Sequence, residues 1–119
     1  MIAILVTACD TGDPQMIAID AAPDVPPVPV VELSCPASVA ATIMDSATAF
    51  IPTTTTITQG QVVKFVITAE HFVRPNTLTT TDQALMVGRG QTKCFRFNVP
   101  GTYSFLCGVH GFTGTVTVQ

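Results

Sequence analysis

From about residue 31 to the C-terminus, apolar and polar residues change places over short runs, and no stretch keeps the spacing of an amphipathic helix. The runs predict strands over residues 31–35, 40–44, 53–58, 62–68, 84–87, 92–99, 102–107 and 114–118. Turn chemistry separates them at Gln59-Gly60, Gly88-Arg89-Gly90 and Pro100-Gly101. About seven or eight short strands of this kind predict an all-β fold, an antiparallel Greek-key β-sandwich whose alternate side chains fill the space between two sheets. Phe95 and Phe97 alternate with Cys94 and Arg96, so the phenylalanines are expected inside and Cys94 outside. Tyr103, Phe105 and Cys107 share the inward face of the next strand, which puts Cys107 inside the sandwich at its rim.

The residues before this pattern follow different rules. Pro14, Pro23, Pro26, Pro27 and Pro29, with interleaved Asp and Ala, offer no periodic apolar face and favour extended, polyproline-like chain. Ahead of them, Ile2-Ala3-Ile4-Leu5-Val6 is a short apolar run, and Val6-Thr7-Ala8-Cys9 resembles the lipobox at which bacterial lipoproteins are cut and acylated on cysteine. No Lys or Arg precedes the run, and the run is shorter than a usual leader core; a start codon assigned too far downstream explains both. The alternative is a buried apolar strand with a free Cys9. A membrane-spanning helix is excluded, because it needs roughly 20 apolar residues. The expected organisation is a signal peptide over residues 1–8, a tether over 9–30 starting at lipidated Cys9, and one folded domain over 31–119.

Composition narrows the function classes. The chain has 119 residues, 47% of them apolar and only 11% charged, enough for one packed core. Its net charge of −3 is unevenly spread: five acids and no bases lie between Asp10 and Glu32, whereas from Leu33 onward five bases outweigh three acids. Neither part has the clustered Lys/Arg surface that nucleic acid requires. No catalytic triad or phosphate-cradling glycine loop is visible, so the chain is read as a binding protein, not an enzyme.

The candidate chemistry lies in Gly101-Thr102-Tyr103-Ser104-Phe105-Leu106-Cys107-Gly108-Val109-His110, a strand that delivers a thiolate and an imidazole to one point. Reading backward from it gives an ordered string: Gln59-Gly60-Gln61-Val62-Val63-Lys64-Phe65, then His71, then Gly90-Gln91-Thr92, then Pro100-Gly101-Thr102-Tyr103. Over roughly residues 50–118 this string resembles the cupredoxins, the type 1 blue copper proteins, of the plastocyanin and azurin kind. The resemblance implies one copper ion held by His71, Cys107 and His110, and both histidines of the chain fall at matching positions. The donor set agrees independently of the family: soft thiolate suits Cu(I) and imidazole tolerates Cu(II).

Two positions depart from the family pattern. No methionine follows His110 where an axial thioether is expected; Phe112 stands there, in a shortened loop. Phe72 follows His71 where relatives often carry an asparagine that steadies the thiolate loop, leaving backbone amides or Asn76 to do so. Met86, in the expected strand 84–87, reads as core rather than as a remote ligand, and Met44 is no better a candidate.

With Cys9 acylated and Cys107 on copper, Cys35 and Cys94 remain, an even number in an exported chain. Their pairing is expected, with Cys35 lying across the outer surface or an edge; two separate buried thiols are the alternative. The resulting expectation is a monomeric electron-transfer protein, exported to the periplasm or cell envelope and held to the membrane by its lipid alone. A redox protein of that compartment is its partner. The alternatives are a copper sequestration or delivery module and a metal-free interaction domain. A multicopper enzyme is excluded, since two histidines cannot furnish a second copper centre.

Overall fold

The computed structural model describes residues 28–76 and 84–119. The leader, Cys9 and nearly all of the tether lie outside the described residues. Among the described residues there are nine strands and no helix long and apolar enough to cross a membrane. In chain order they are β1 (Val30–Leu33), β2 (Ala41–Asp45), β3 (Phe50–Ile51), β4 (Thr54–Ile57), β5 (Val62–Val66), β6 (Val73–Pro75), β7 (Thr92–Phe97), β8 (Gly101–Cys107) and β9 (Thr113–Val118).

Five strands form one sheet in the order β1-β7-β5-β2-β3, and four form the other in the order β4-β9-β8-β6. The pairing is mixed, not wholly antiparallel. β2 runs parallel to β5 and β4 runs parallel to β9. The chain crosses between sheets at Pro52-Thr53, where proline has no N–H with which to continue a ladder.

The core is an aromatic stack between the sheets. Phe65 of β5 lies 5.7 Å from Phe95 of β7 and 5.2 Å from Phe105 of β8, ring edge to ring face. Phe50 meets Phe105 at 4.9 Å, and Phe97 meets Tyr103 at 5.3 Å. Phe50, Phe65, Phe95, Phe97 and Phe105 are all essentially inaccessible to solvent. Burying such a ring contributes about 1.5–3 kcal/mol, and the edge-to-face geometry adds to that.

The sequence-based strands differ from the structure in three places. Residues 84–87 do not form a strand: Val87 makes a single bridge to Val73, with reciprocal hydrogen bonds of 2.8 and 3.0 Å. The next hydrogen-bonded pair along would oppose Pro75 to Leu85, and Pro75 has no N–H to give, so the ladder stops. The alternation there is nonetheless real: Leu85 and Val87 are buried while Met86, expected in the core, is 52% exposed. Met44 is likewise out in solvent on β2. The short strands β3 and β6 escape a sequence reading because one has two residues and the other contains a proline, which only an edge strand tolerates.

Cys94 sits on the same side of β7 as Arg96, as alternation requires, yet it is fully buried instead of facing solvent. The cause is Cys35, which follows edge strand β1 and is disulfide-bonded to Cys94 with a Cα–Cα distance of 5.1 Å. The bridge spans a sequence separation of 59 and ties the segment after edge strand β1 to the neighbouring strand β7. Replacing both cysteines by serine is therefore expected to lower stability by about 4 kcal/mol on the chain-entropy model, read as a lower urea midpoint with a steeper slope, because the uncrosslinked unfolded chain exposes more surface.

Candidate metal centre

Two connections at one rim of the sandwich bring together residues far apart in sequence. β8 presents Tyr103, Phe105 and Cys107 to the interior in strict alternation, and the strand ends at Cys107. The turn that follows reverses into β9 through Gly111, whose φ of 78° lies in the left-handed region open to glycine. Backbone bonds close it: the Gly111 N–H donates to the Cys107 carbonyl at 2.9 Å, and the Cys107 N–H donates to the Phe112 carbonyl at 2.8 Å. His110 is carried on the exposed crest of this turn. His71 comes from the connection between β5 and β6 and is 2% exposed.

One donor atom from each of His71, Cys107 and His110 lies within 4.8 Å of the others. The two imidazoles are 4.9 Å apart, centroid to centroid, at 72°. A buried thiol and two imidazoles converging on one point form a soft, nitrogen-containing donor set that fits copper in either oxidation state. All three residues singled out from the sequence are thus brought together.

Phe112 packs into the same place. Its ring lies 5.2 Å from His71, stacks at 7° on His110 with centroids 6.2 Å apart, and meets Phe50 at 4.8 Å. A phenyl ring brings no lone pair to that side of the cluster.

Phe72 takes a structural part that the sequence did not reveal. Its carbonyl accepts a hydrogen bond from the Gly108 N–H at 3.2 Å, which links the His71 loop to the thiolate loop through backbone. Its ring lies against Gly108 so closely that a Cβ there would fall 2.0 Å from Phe72 Cζ. Arg89 lies over the ring at 5.4 Å from its centroid, its guanidinium also donating to the Glu70 carbonyl at 3.2 Å. Asn76 donates its backbone N–H to the Ser104 carbonyl at 3.0 Å, so β6 is tied to β8 beyond its last strand residue.

Sequence reading also missed Asp45, at the end of β2 and 26 residues before His71. Its Oδ2 accepts hydrogen bonds from His71 Nδ1 at 2.5 Å and from the Thr68 hydroxyl at 2.6 Å. Oδ1 accepts from the Thr68 N–H at 3.0 Å. Burial pushes the Asp45 carboxyl up, but the hydrogen bonds from Thr68 and His71 outweigh it and hold the group below its ordinary value. The only available signal was scarcity, since residues 33–119 hold just three acids.

Gly108→Ala is expected to cost about 1–3 kcal/mol by overpacking, with Phe72→Leu in the same chain recovering most of it; equal losses with and without Phe72→Leu would refute the contact. Because folding lowers the Asp45 pKa, its stabilisation is fully present above the ordinary value of 3.8 and is lost as pH falls through the lower folded value. The stability difference between the unsubstituted chain and Asp45→Asn, measured without metal by urea unfolding, should accordingly shrink below that pH and be constant above it.

No protein-family model matches the chain, and no curated protein sequence does. Solved structures do. Amicyanin from Paracoccus versutus (Thiobacillus versutus) is 19% identical, with 76% of this chain and 98% of that chain covered at a TM-score of 0.60. An oxidized variant of amicyanin is 20% identical over 76% and 98% of the two chains at 0.61. Another amicyanin variant, described as its Cu(I) form, is 16% identical over 76% and 99% at 0.61. Two packed sheets, nine strands and a rim bearing two histidines and a cysteine thus make this chain a β-sandwich of the cupredoxin fold, the fold of amicyanin.

Proposed function

We propose that this chain is a mononuclear type 1 copper electron-transfer protein of the bacterial cell envelope, with His71, Cys107 and His110 as its equatorial donors. The observation that carries the reading is their convergence within 4.8 Å at the rim of a rigid sandwich. Copper, when bound, supplies a one-electron couple between Cu(II) and Cu(I). Every other element of the function belongs to the chain. Cys107 pairs in register with Val73 of β6, and on its other side its N–H donates to the Phe112 carbonyl and its carbonyl accepts from the Gly111 N–H, which closes the 107–112 turn. Donors fixed in this way move little between oxidation states, which keeps the reorganisation cost of electron exchange low. His110 is exposed while His71 and Cys107 are buried, so the imidazole of His110 is the edge through which a partner would meet the centre.

Phe112 occupies the axial side in this reading, supported by its contacts with both imidazole rings. Without an axial thioether, less electron density reaches Cu(II) and the reduction potential rises. Amicyanin structures described as oxidized and as Cu(I) support the redox assignment. The Cys35–Cys94 disulfide supports an oxidising compartment, and the expected leader, acylated Cys9 and proline-rich tether supply export and a lipid anchor. The domain is taken to act as a monomer that meets a redox protein partner.

Cu(II) added to the purified chain should produce intense absorption at about 600 nm from thiolate-to-copper charge transfer, and Cys107→Ser should abolish it. A colourless protein that retains Cu(I) would favour sequestration or delivery, and no copper retention would favour an interaction domain. In the copper-loaded protein Phe112→Met should lower the reduction potential; an unchanged or higher potential would sink the open-axial assignment.

A further inference from the structure

Beside the thiolate loop the sandwich carries a groove that takes no part in the donor cluster. It holds about 410 Å³, and Phe72, Val73, Met86, Val87, Arg89 and Lys93 line it. Backbone fixes its shape: Val73 and Val87 exchange hydrogen bonds across their bridge, and the 88–91 turn is closed by the Gln91 N–H on the Gly88 carbonyl at 3.1 Å. The Gly88 N–H in turn donates to Gln91 Oε1 at 2.8 Å. Val73 and Val87 are buried, whereas Met86 is half-exposed, a flexible thioether that adapts to whatever apolar side chain meets it.

The charge at this groove has one sign. Arg89 and Lys93 are cationic, and among the described residues no acid lines it. The Arg89 guanidinium gives an N–H to the Glu70 carbonyl and makes no ion pair among the described residues, so most of its five donors stay available. Lys93 meets Glu32 at 3.5 Å, an exposed pair of little strength, and Glu32 lines the adjacent polar hollow instead. Phe72 joins the groove to the metal centre: its ring tip abuts Gly108 and its carbonyl accepts the Gly108 N–H, one residue after Cys107. Position 72 is where this sequence departs from the asparagine that cupredoxins often carry, and the aromatic link comes with that departure.

We propose that this groove is a second docking surface, for an acidic redox protein, and that Phe72 couples it to the thiolate loop. His110, the edge already assigned to a partner, is not among its lining residues. Paired cations beside an apolar cleft steer and hold an anionic surface. The step is one electron exchanged between the partner's one-electron centre and the copper couple, with no bond formed or broken and no proton moved. That step rests on the copper reading; the groove and its charge do not.

A trianion locates the surface. Hexacyanochromate(III), paramagnetic and inert to substitution, is titrated into the nitrogen-15-labelled full chain without copper, at about 0.1 M ionic strength, where charges interact over about 10 Å. The amide signals of Val87, Gly88 and Arg89 should broaden, and Arg89→Glu should abolish the effect. No broadening, broadening confined to residues 109–111, or broadening undiminished in Arg89→Glu overturns the proposal. The electron route is read in the Cu(I)-loaded chain by oxidation with hexacyanoferrate(III). Arg89→Glu should slow it about 10-fold. Arg96→Glu, an equal change of charge on the opposite face of β7 from Lys93, should slow it by less than about twofold. Equal slowing overturns the route. Hexacyanochromate(III) added as a competitor should inhibit oxidation of the unsubstituted chain with the half-saturation seen in the NMR titration, and oxidation indifferent to it overturns the route as well. Should Arg89→Glu not fold, Arg89→Gln serves in the same comparisons. A chain that takes up no copper defeats the copper reading by itself, and the NMR titration then still judges the groove.

Discussion

Phe105 enters the space between the sheets edge-on to both Phe50 and Phe65, at 4.9 and 5.2 Å, and a slip of β8 by one residue would turn it into solvent. The same slip would turn out Tyr103 and Cys107, because side chains repeat every two residues along a strand. The aromatic contact therefore sets the register that delivers the thiol. Placement of a reactive side chain and stability of the core are here one constraint, and the energy that holds the core also holds Cys107 at the rim.

What surrounds the thiol is mostly backbone. The turn after β8 is closed by amide bonds between Cys107, Gly111 and Phe112, and it is joined to the His71 loop by the Gly108 N–H on the Phe72 carbonyl. A phenylalanine can fill the position after His71 because the hydrogen bond runs through its main chain while the tip of its ring abuts Gly108. Position 108 needs glycine for that close approach, and Arg89 lies over the ring. The two loops are thereby coupled by packing as well as by hydrogen bonding.

In the proposed copper site, electronic influences come from opposite sides. Phe112 brings an apolar face with no lone pair against both imidazoles, whereas Asp45 places a negative charge behind the buried one. Asp45 itself depends on Thr68, which gives it two of its three hydrogen bonds.

The legible part of this protein was the part encoded locally. Alternation in β7 and β8 showed which phenylalanines face inward and carried Cys107 with them, and the two histidines stood out because there were no others. The sequence reading also made residues 84–87 a strand with Met86 in the core; Leu85 and Val87 are buried instead, and local pattern could not foresee that Pro75 would end the ladder opposite them. Cysteine counting did expect Cys35 to lie across the outer surface or an edge and pair with Cys94; what alternation missed is that the bridge leaves Cys94 fully buried. Closure of the two sheets decided those matters, together with the parallel pairings and the meeting of Asp45 with His71 across 26 residues. The physical reason is range: strand periodicity is written into neighbouring residues, whereas a partner brought from another strand exists only once the sheets have packed.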